Sequence, residues 1–265
     1  MKSWVVGNWK LNPASVKEVQ ALVDNLVDGV SAQSDIFQAC HIVIAPCVLH
    51  VSQVSDILER KQGLIQLACQ DVSALTATSG AYTGDISAQQ LRDSGVEWAI
   101  IGHSERRQYC HEDNTALLNK MNHCADQDLG VILCIGESEA EYEADRTTQV
   151  LADQLSVVED FLQQSNKVSA DYLSNKLLIA YEPVWAIGTG KVPSVQDVTN
   201  VHKFIRERLQ SFDSTLATTP VLYGGSVKPE NAKDFAASEL INGVLVGGAA
   251  LKADSFLDIA KAFSK

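Results

Sequence analysis

The sequence predicts an α/β protein in which one (β/α)8 barrel domain spans residues 1–265. Two observations lead to this fold: short aliphatic strands alternate with helical patterns along the whole chain, and no linker or change of composition separates its halves. Eight strand-then-helix units in about this length are typical of a closed barrel of parallel strands. An open, doubly wound sheet is the alternative. That fold usually carries a glycine-rich loop after its first strand, where this chain has Asn8-Trp9-Lys10-Leu11-Asn12 instead.

Each predicted strand is a short aliphatic run without polar alternation, which is typical of a strand buried on both faces. The eight runs are Trp4 to Lys10, Ile42 to Pro46, Leu64 to Gln70, Val96 to Gly102, Val131 to Gly136, Leu177 to Glu182, Val221 to Gly225 and Val244 to Gly248. Helical patterns between them cover Ser15 to Val30, Val48 to Arg60, Thr115 to Gln127, Glu139 to Gln164, Val195 to Phe212, Pro229 to Phe235 and Ala253 to Phe263.

The composition argues against several classes of partner. Against 33 acidic residues there are 21 Lys and Arg, a formal net charge of -12, and no basic patch stands out, so we expect neither nucleic acid nor an acidic membrane as a partner. Asn8 and Lys10 interrupt the first apolar run, which is therefore no signal peptide, and no run approaches the length of a membrane span. We expect a cytoplasmic protein.

The spacing of the six cysteines matches no disulfide framework. They are scattered and form no C-x-x-C pair, so we expect reduced thiols: Cys40, Cys47, Cys69, Cys110, Cys124 and Cys134. A zinc site using His41 beside Cys40, or His123 beside Cys124, is the alternative. Neighbouring residues on one element do not build a tetrahedral cage, so we expect no metal.

Polar residues gather where the predicted strands end, which is the catalytic edge of such barrels. The most informative is Glu182, which closes an aliphatic strand and precedes an apolar loop, Val184 to Ile187. Pro183 on one side and glycines on the other, Gly188 among them, flank this loop as hinges. A structural ion pair is the ordinary role of such a glutamate. The hinged apolar loop instead predicts a base under a lid that excludes water.

His103 follows the fourth strand and begins the run Ser104-Glu105-Arg106-Arg107, which looks like a helix start. The positive end of a helix disfavours a second proton on an imidazole, so we expect a neutral ring that donates one hydrogen bond. The other five histidines carry no such placement.

Lys10 and Asn8 lie one strand period apart, which predicts that both side chains point over the mouth of the barrel. Pairing with a carboxylate is the simple role for Lys10. The glycine pairs after the last two strands, at Gly224-Gly225-Ser226 and Gly247-Gly248, suggest a phosphate as well, because barrels commonly bind phosphate there through backbone amides.

Together these residues suit enolisation: a base removes a proton α to a carbonyl, while a donor and a cation stabilise the oxyanion. The sequence shows neither a cofactor motif nor metal-ligand spacing, so we expect an isomerisation without a cofactor.

Seven motifs, spread over essentially the whole chain, resemble the triosephosphate isomerase family. They are Gly7-Asn8-Trp9-Lys10, Gly80-Ala81-Tyr82-Thr83-Gly84, Ile101 to Arg107, Cys134-Ile135-Gly136-Glu137, Ala180 to Lys191, Tyr223 to Asn231 and Val246-Gly247-Gly248-Ala249. Each glycine motif is weak alone, but the ordered set is specific. The resemblance implies a TIM barrel that interconverts dihydroxyacetone phosphate and D-glyceraldehyde 3-phosphate in glycolysis and gluconeogenesis.

The resemblance also implies roles for single residues. Glu182 is the base, His103 the electrophile and Lys10 the cation, with Asn8 at the substrate oxygen. Glu105 is the carboxylate near that lysine, and Ser104 helps the resting base. Backbone N–H groups of the remaining positions hold phosphate: Gly188, Ser226, Gly247 and Gly248.

The stretch Asp71 to Ile86 is long for a barrel loop, which suggests a function. By the resemblance it protrudes into a second subunit, with Thr83 near the neighbour's site, so a homodimer is expected. The alternatives are another sugar-phosphate isomerase or lyase and a catalytically idle phosphate-binding barrel.

Overall fold

The structure, a computed structural model, describes residues 2–61, 64–164, 168–187 and 191–265. In these ranges eight parallel strands close into a barrel in which each pairs with the next in sequence and β8 pairs with β1. The strands are β1 (Ser3–Asn8), β2 (Cys40–Ala45), β3 (Ile65–Cys69), β4 (Trp98–Ile101), β5 (Gly130–Ile135), β6 (Leu177–Tyr181), β7 (Val221–Tyr223) and β8 (Gly243–Val246). The predicted (β/α)8 barrel is confirmed.

Helices follow the strands around the barrel. The α-helices are α1 (Val16–Ala32), α2 (Ser34–Phe37), α3 (Val51–Lys61), α4 (Ala88–Asp93), α5 (Ser104–Tyr109), α6 (Asn114–Asp126), α7 (Glu139–Glu143), α8 (Thr147–Gln164), α9 (Val168–Lys176), α10 (Val195–Phe212), α11 (Pro229–Ala236) and α12 (Ala253–Phe263). Short 3-10 turns lie at Val48–His50, Val184–Ala186, Ser214–Thr218 and Gly248–Leu251.

The core has two layers because alternate residues of each strand face opposite ways. In β6, Leu178 and Ala180 belong to a cluster made of strand residues, which fills the barrel interior. Leu177, Ile179 and Tyr181 belong to the larger cluster that includes the helices. Both faces of the strand are thus buried, which explains its continuous apolar sequence. Glu182 continues the inward row 178, 180, 182 and so comes to lie over the barrel mouth.

The predicted strands run one or two residues too far at every carboxyl end. The clearest case is the first strand, which stops at Asn8 because Lys10 has a φ of 53°. Gly102, just beyond β4, has a φ of 66°. Left-handed backbone cannot continue a strand, so the chain leaves the ladder where the polar residues begin.

One predicted helix, Glu139 to Gln164, is wrong: it is two helices, α7 and α8. Asp145 between them has a φ of 52°, which ends the first helix before the second begins. The prediction also missed α2, α4 and α9, the first two of which span four and six residues. By contrast, the predicted bounds of α10 and α12 agree with the structure.

Candidate active site

A cavity of about 710 Å³ opens at the carboxyl ends of the strands. Seven of the predicted site residues line it: Asn8, Lys10, His103, Glu182, Ser226, Gly247 and Gly248. Gly188 lies outside the described residues. Lys228 and Lys252 also line this cavity, and the sequence reasoning assigned them no role. The structure therefore gathers residues that are up to 240 positions apart into one site.

Glu182 is fixed by the backbone of the neighbouring strands. Its N–H donates to the carbonyl of Ile135 (2.7 Å), and the next strand approaches so closely that a Cβ at Gly224 would lie 2.8 Å from the Glu182 Cγ. On the other side, a Cβ at Gly136 would lie 1.7 Å from the Glu182 carbonyl oxygen. Glycine is therefore required at both positions, a role for Gly136 that the sequence alone did not reveal.

Glu182 is 2% exposed, and both of its carboxylate oxygens have a partner. Its Oε1 lies 3.0 Å from the Nε2 of His103, and its Oε2 accepts the backbone N–H of Ser104 at 3.0 Å. Burial acts to raise the pKa of Glu182, but His103 and the Ser104 amide outweigh it, so the pKa lies below its ordinary value. The resting carboxylate is charged and able to accept a proton. Ser104 assists it through its backbone.

His103 caps helix α5, as its placement at a helix start predicted. Its Nδ1 accepts the N–H of Glu105 at 3.2 Å, so the remaining ring proton belongs on Nε2, facing Glu182. Burial acts to lower the pKa of His103, and the nearby Glu182 carboxylate outweighs burial and raises it. We assign a neutral ring, since the Nδ1 lone pair already accepts a hydrogen bond. The pKa of His103 is raised because the Glu182 carboxylate favours a second proton on the imidazole.

Lys10 reaches the cavity by a turn, not by strand alternation as predicted. The strand ends at Asn8, whose Oδ1 accepts the Lys10 N–H at 3.0 Å and stabilises the left-handed backbone there. The Lys10 Nζ lies 2.6 Å from the Oε1 of Glu105. The expected lysine–carboxylate contact is therefore present, at the lip of the cavity, where Glu105 is 46% exposed.

The glycine loops after β7 and β8 also line the cavity. A Cβ at Gly248 would meet nothing within 4 Å, and one at Gly247 would lie 3.6 Å from the Lys10 Cε, so this edge of backbone is bare and faces the cation. The Ser226 hydroxyl donates to the carbonyl of Ala186 at 2.9 Å. This contact joins the β7 loop to the apolar segment behind Glu182.

A second buried carboxylate, which the sequence reasoning overlooked, follows the strand next to that of Glu182. Glu137 follows β5, is 0% exposed, and its Oε1 accepts the hydroxyl of Tyr181 (3.1 Å) and the Nε1–H of Trp185 (2.8 Å). Burial raises its pKa above the ordinary value. The signal was present in the motif Cys134-Ile135-Gly136-Glu137, but its partners lie more than 40 residues away.

Other residues singled out from the sequence lie outside this cavity. Thr83 is exposed on the loop 71–86, which contains neither helix nor strand. His41 stacks on Trp4 at 4.0 Å and His123 Nδ1 contacts the Ser73 carbonyl, while no group of three or more His, Cys, Asp or Glu among the described residues is placed to hold a metal ion. Burial raises the pKa of the Cys134 thiol. Within the described ranges, no helix is long and apolar enough to cross a membrane.

A closed parallel barrel whose mouth joins a charged carboxylate, an imidazole, a lysine and bare glycine loops defines an isomerase of the (β/α)8-barrel class. Comparison with known proteins identifies the family within this class. The family model described as triosephosphate isomerase matches residues 3–263. The chain belongs to the triosephosphate isomerase family.

Individual relatives are similar along their whole length. The triosephosphate isomerase of Psychrobacter sp. (strain PRwf-1) is 63% identical over 264 residues, which cover all of both chains. That of Psychrobacter cryohalolentis is 51% identical, covering 100% of this chain and 99% of the relative. That of Acinetobacter baylyi is 41% identical, covering 99% and 96%.

Proposed function

We propose that this chain interconverts dihydroxyacetone phosphate and D-glyceraldehyde 3-phosphate through an enediolate, with Glu182 as the base and His103 as the electrophile. The observation that carries this proposal is the buried contact of 3.0 Å between Glu182 Oε1 and His103 Nε2, beside Lys10. Family membership supports the reaction.

In the proposed reaction, the Glu182 carboxylate removes a proton from the carbon next to the carbonyl and returns it to the neighbouring carbon. His103 donates its Nε2 hydrogen to the carbonyl oxygen and regains a proton from the hydroxyl oxygen of the neighbouring carbon, so the ring ends the reaction as it began. Lys10 stabilises the charge that develops on these oxygens. Asn8 holds the substrate oxygen, and Glu105 orients Lys10. The groups Ser226, Gly247 and Gly248 would face the phosphate, as would Gly188 in the segment outside the described residues.

The resting geometry sets a requirement for catalysis. At 3.0 Å, Glu182 and His103 leave no room for a substrate atom between them, so the substrate must replace this contact. The Ser104 N–H holds the carboxylate until that occurs. Glu182 and His103 then lose their mutual hydrogen bond and gain the substrate as a new partner, which suits proton transfer at the reacting carbon.

A coupled assay supplied with glyceraldehyde 3-phosphate tests the reaction by following the dihydroxyacetone phosphate formed. We expect turnover, and none with ribose 5-phosphate in a parallel isomerase assay. No turnover of the triose by folded protein would refute the proposal and favour an idle binding barrel. Turnover of the pentose in place of the triose would favour another sugar-phosphate isomerase.

We also propose a homodimer in which loop 71–86 of one copy enters a groove of the other. A groove of about 490 Å³ runs beside the active site and shares Asn8, Lys10 and His103 with it. Leu11 (87% exposed) and Tyr109 (72%) line this groove, and loop 71–86 itself exposes Leu75 (62%). Large exposed apolar side chains at a groove are typical of a protein interface.

Substitution of the exposed loop residue Thr83 by arginine tests the dimer. We expect Thr83→Arg to lower the sedimentation coefficient toward that of a monomer, because a charge would enter the groove. Gln163→Arg, on the exposed face of α8, is the matched control and should leave the assembly intact. An unchanged assembly in Thr83→Arg would remove this loop from the interface.

We further propose that the chain works in the cytoplasm as a single domain. The six free cysteines, four of them buried, support a reducing compartment. The closed barrel in the described residues, with each strand paired to its sequence neighbours, supports a single domain.

A further inference from the structure

Two lysines, Lys228 and Lys252, line the candidate active-site cavity and follow its glycine loops in the chain. Both residues are exposed, and neither forms an ion pair with a carboxylate in the part of the chain that the structure describes. Glu230 is the third exposed charged residue in the described lining of this cavity. The rim therefore carries more positive than negative charge, although the chain as a whole has a formal net charge of -12.

Helix capping does not explain these two lysines. Lys228 is the N-cap of α11 and Lys252 the N-cap of α12, where a lysine has no oxygen to accept a helical N–H and its charge opposes the helix dipole. Five other α-helices have N-caps whose side-chain oxygen accepts such a bond: Ser15, Ser87, Asp113, Ser138 and Ser194. Lysine is therefore unfavourable for helix stability at both positions, which indicates a role in the cavity that the two helices border.

A phosphate ester that approaches this rim carries up to about two negative charges at neutral pH. The acidic chain repels it, but salt screens charges more than about 8 Å away at physiological ionic strength, so the nearest lysines dominate the local field. A cavity of about 710 Å³ is about 9 Å across, and at that distance one lysine enriches a dianion about threefold at 0.01 M ionic strength and less than about twofold at 0.15 M. The attraction is therefore modest for each lysine and depends strongly on salt.

We propose that Lys228 and Lys252 are binding residues that attract the phosphorylated triose into the cavity, and that they act on kcat/KM and not on kcat. The proposal rests on the proposed function, which supplies the substrate class. The two lysines attract the dianion equally before and during proton transfer, because the phosphate keeps its charge throughout. Such uniform attraction raises kcat/KM by favouring capture and leaves the barrier of the bound substrate unchanged.

The test replaces both lysines by glutamine and measures steady-state kinetics with glyceraldehyde 3-phosphate at two ionic strengths. We expect the double variant, Lys228→Gln with Lys252→Gln, to lose about 5- to 10-fold in kcat/KM at 0.01 M and less than about threefold at 0.15 M, with kcat within about twofold. Lys233→Gln is the matched control, because it removes the same charge from the last turn of α11, outside the cavity lining. Its kcat/KM should change less than about 1.5-fold.

Titration with inorganic phosphate at a constant ionic strength of about 0.05 M gives a readout that does not need turnover. The double variant should bind phosphate at least about twofold more weakly than the unmodified chain, and Lys233→Gln should bind it equally well. An unchanged kcat/KM, a loss that is the same at both ionic strengths, or an equal loss in Lys233→Gln would overturn the inference. Inactivity of the unmodified chain would instead count against the proposed function, and the phosphate titration would still test the lysines.

Discussion

The carboxyl ends of β5 and β6 each carry a buried glutamate, yet the two sites treat the carboxyl group in opposite ways. Glu137 and Glu182 are 0% and 2% exposed. Burial raises the pKa of Glu137, whose partners are the neutral donors Tyr181 and Trp185. The pKa of Glu182 is lowered despite burial, because His103, the Ser104 amide and Lys10 favour the charged form. The two carboxyl groups are almost equally buried, so their different neighbours account for the opposite directions in which their pKa values shift.

Two histidines repeat this lesson. His103 has the Glu182 carboxylate 3.0 Å away, which raises its pKa against the effect of burial. His202 on α10 is 0% exposed, contacts the Leu240 carbonyl through Nδ1, and has no partner for Nε2 among the described residues. Burial lowers the pKa of His202 to about 3. His103 therefore suits proton transfer, whereas His202 is a neutral packing residue.

The largest effect should come from removing the charge of Glu182. We expect Glu182→Gln to lower kcat by at least about 10²- to 10⁴-fold, the usual contribution of a general base, because an amide accepts no proton at neutral pH. Steady-state kinetics in both directions measures this loss, while the affinity for inorganic phosphate should change little. Activity equal to that of the unmodified chain would rule out Glu182 as the base.

His202 should control part of the acid sensitivity. Between pH 6.5 and about 3 the unfolded chain binds a proton that the folded His202 does not, so the free energy of unfolding falls as the pH drops. At pH 5 this amounts to about 2 kcal/mol. His202→Gln should therefore lose about 2 kcal/mol less between pH 7 and pH 5, in urea titrations at one protein concentration. Equal losses would show that His202 gains its proton in the folded protein.

The smallest effect on activity should come from replacing the second buried glutamate, Glu137, by glutamine. Glu137→Gln keeps an oxygen for Trp185 and Tyr181, so we expect kcat within about twofold of the unmodified value. Since the folded-state pKa of Glu137 is raised, this carboxyl costs stability as the pH rises above its ordinary value of 4.5. In thermal unfolding, the stability of Glu137→Gln relative to the unmodified chain should therefore be greater at pH 7 than at pH 4. A large loss of kcat would mean that Glu137 is needed as an anion.

Part of this protein follows from local sequence. Short aliphatic runs indicated all eight strands, because strands buried on both faces need apolar residues at every position. The placement of polar residues after those runs indicated Asn8, Lys10, His103 and Glu182, since the ends of parallel strands meet at one edge. The helical patterns also indicated α10 and α12 with the bounds that the structure has.

The tertiary structure decided the rest, because those features depend on contacts between residues distant in sequence. The left-handed turn at Lys10 shortened the first strand, and the pairing of Glu182 with His103 and Ser104, 78 residues or more away, set its charge. The contact of Glu137 with Trp185 and the stack of Tyr142 on the same ring arise where β5 and β6 lie side by side. Local patterns determine which residues reach the barrel mouth, whereas distances across strands determine which of them are charged and what holds them there.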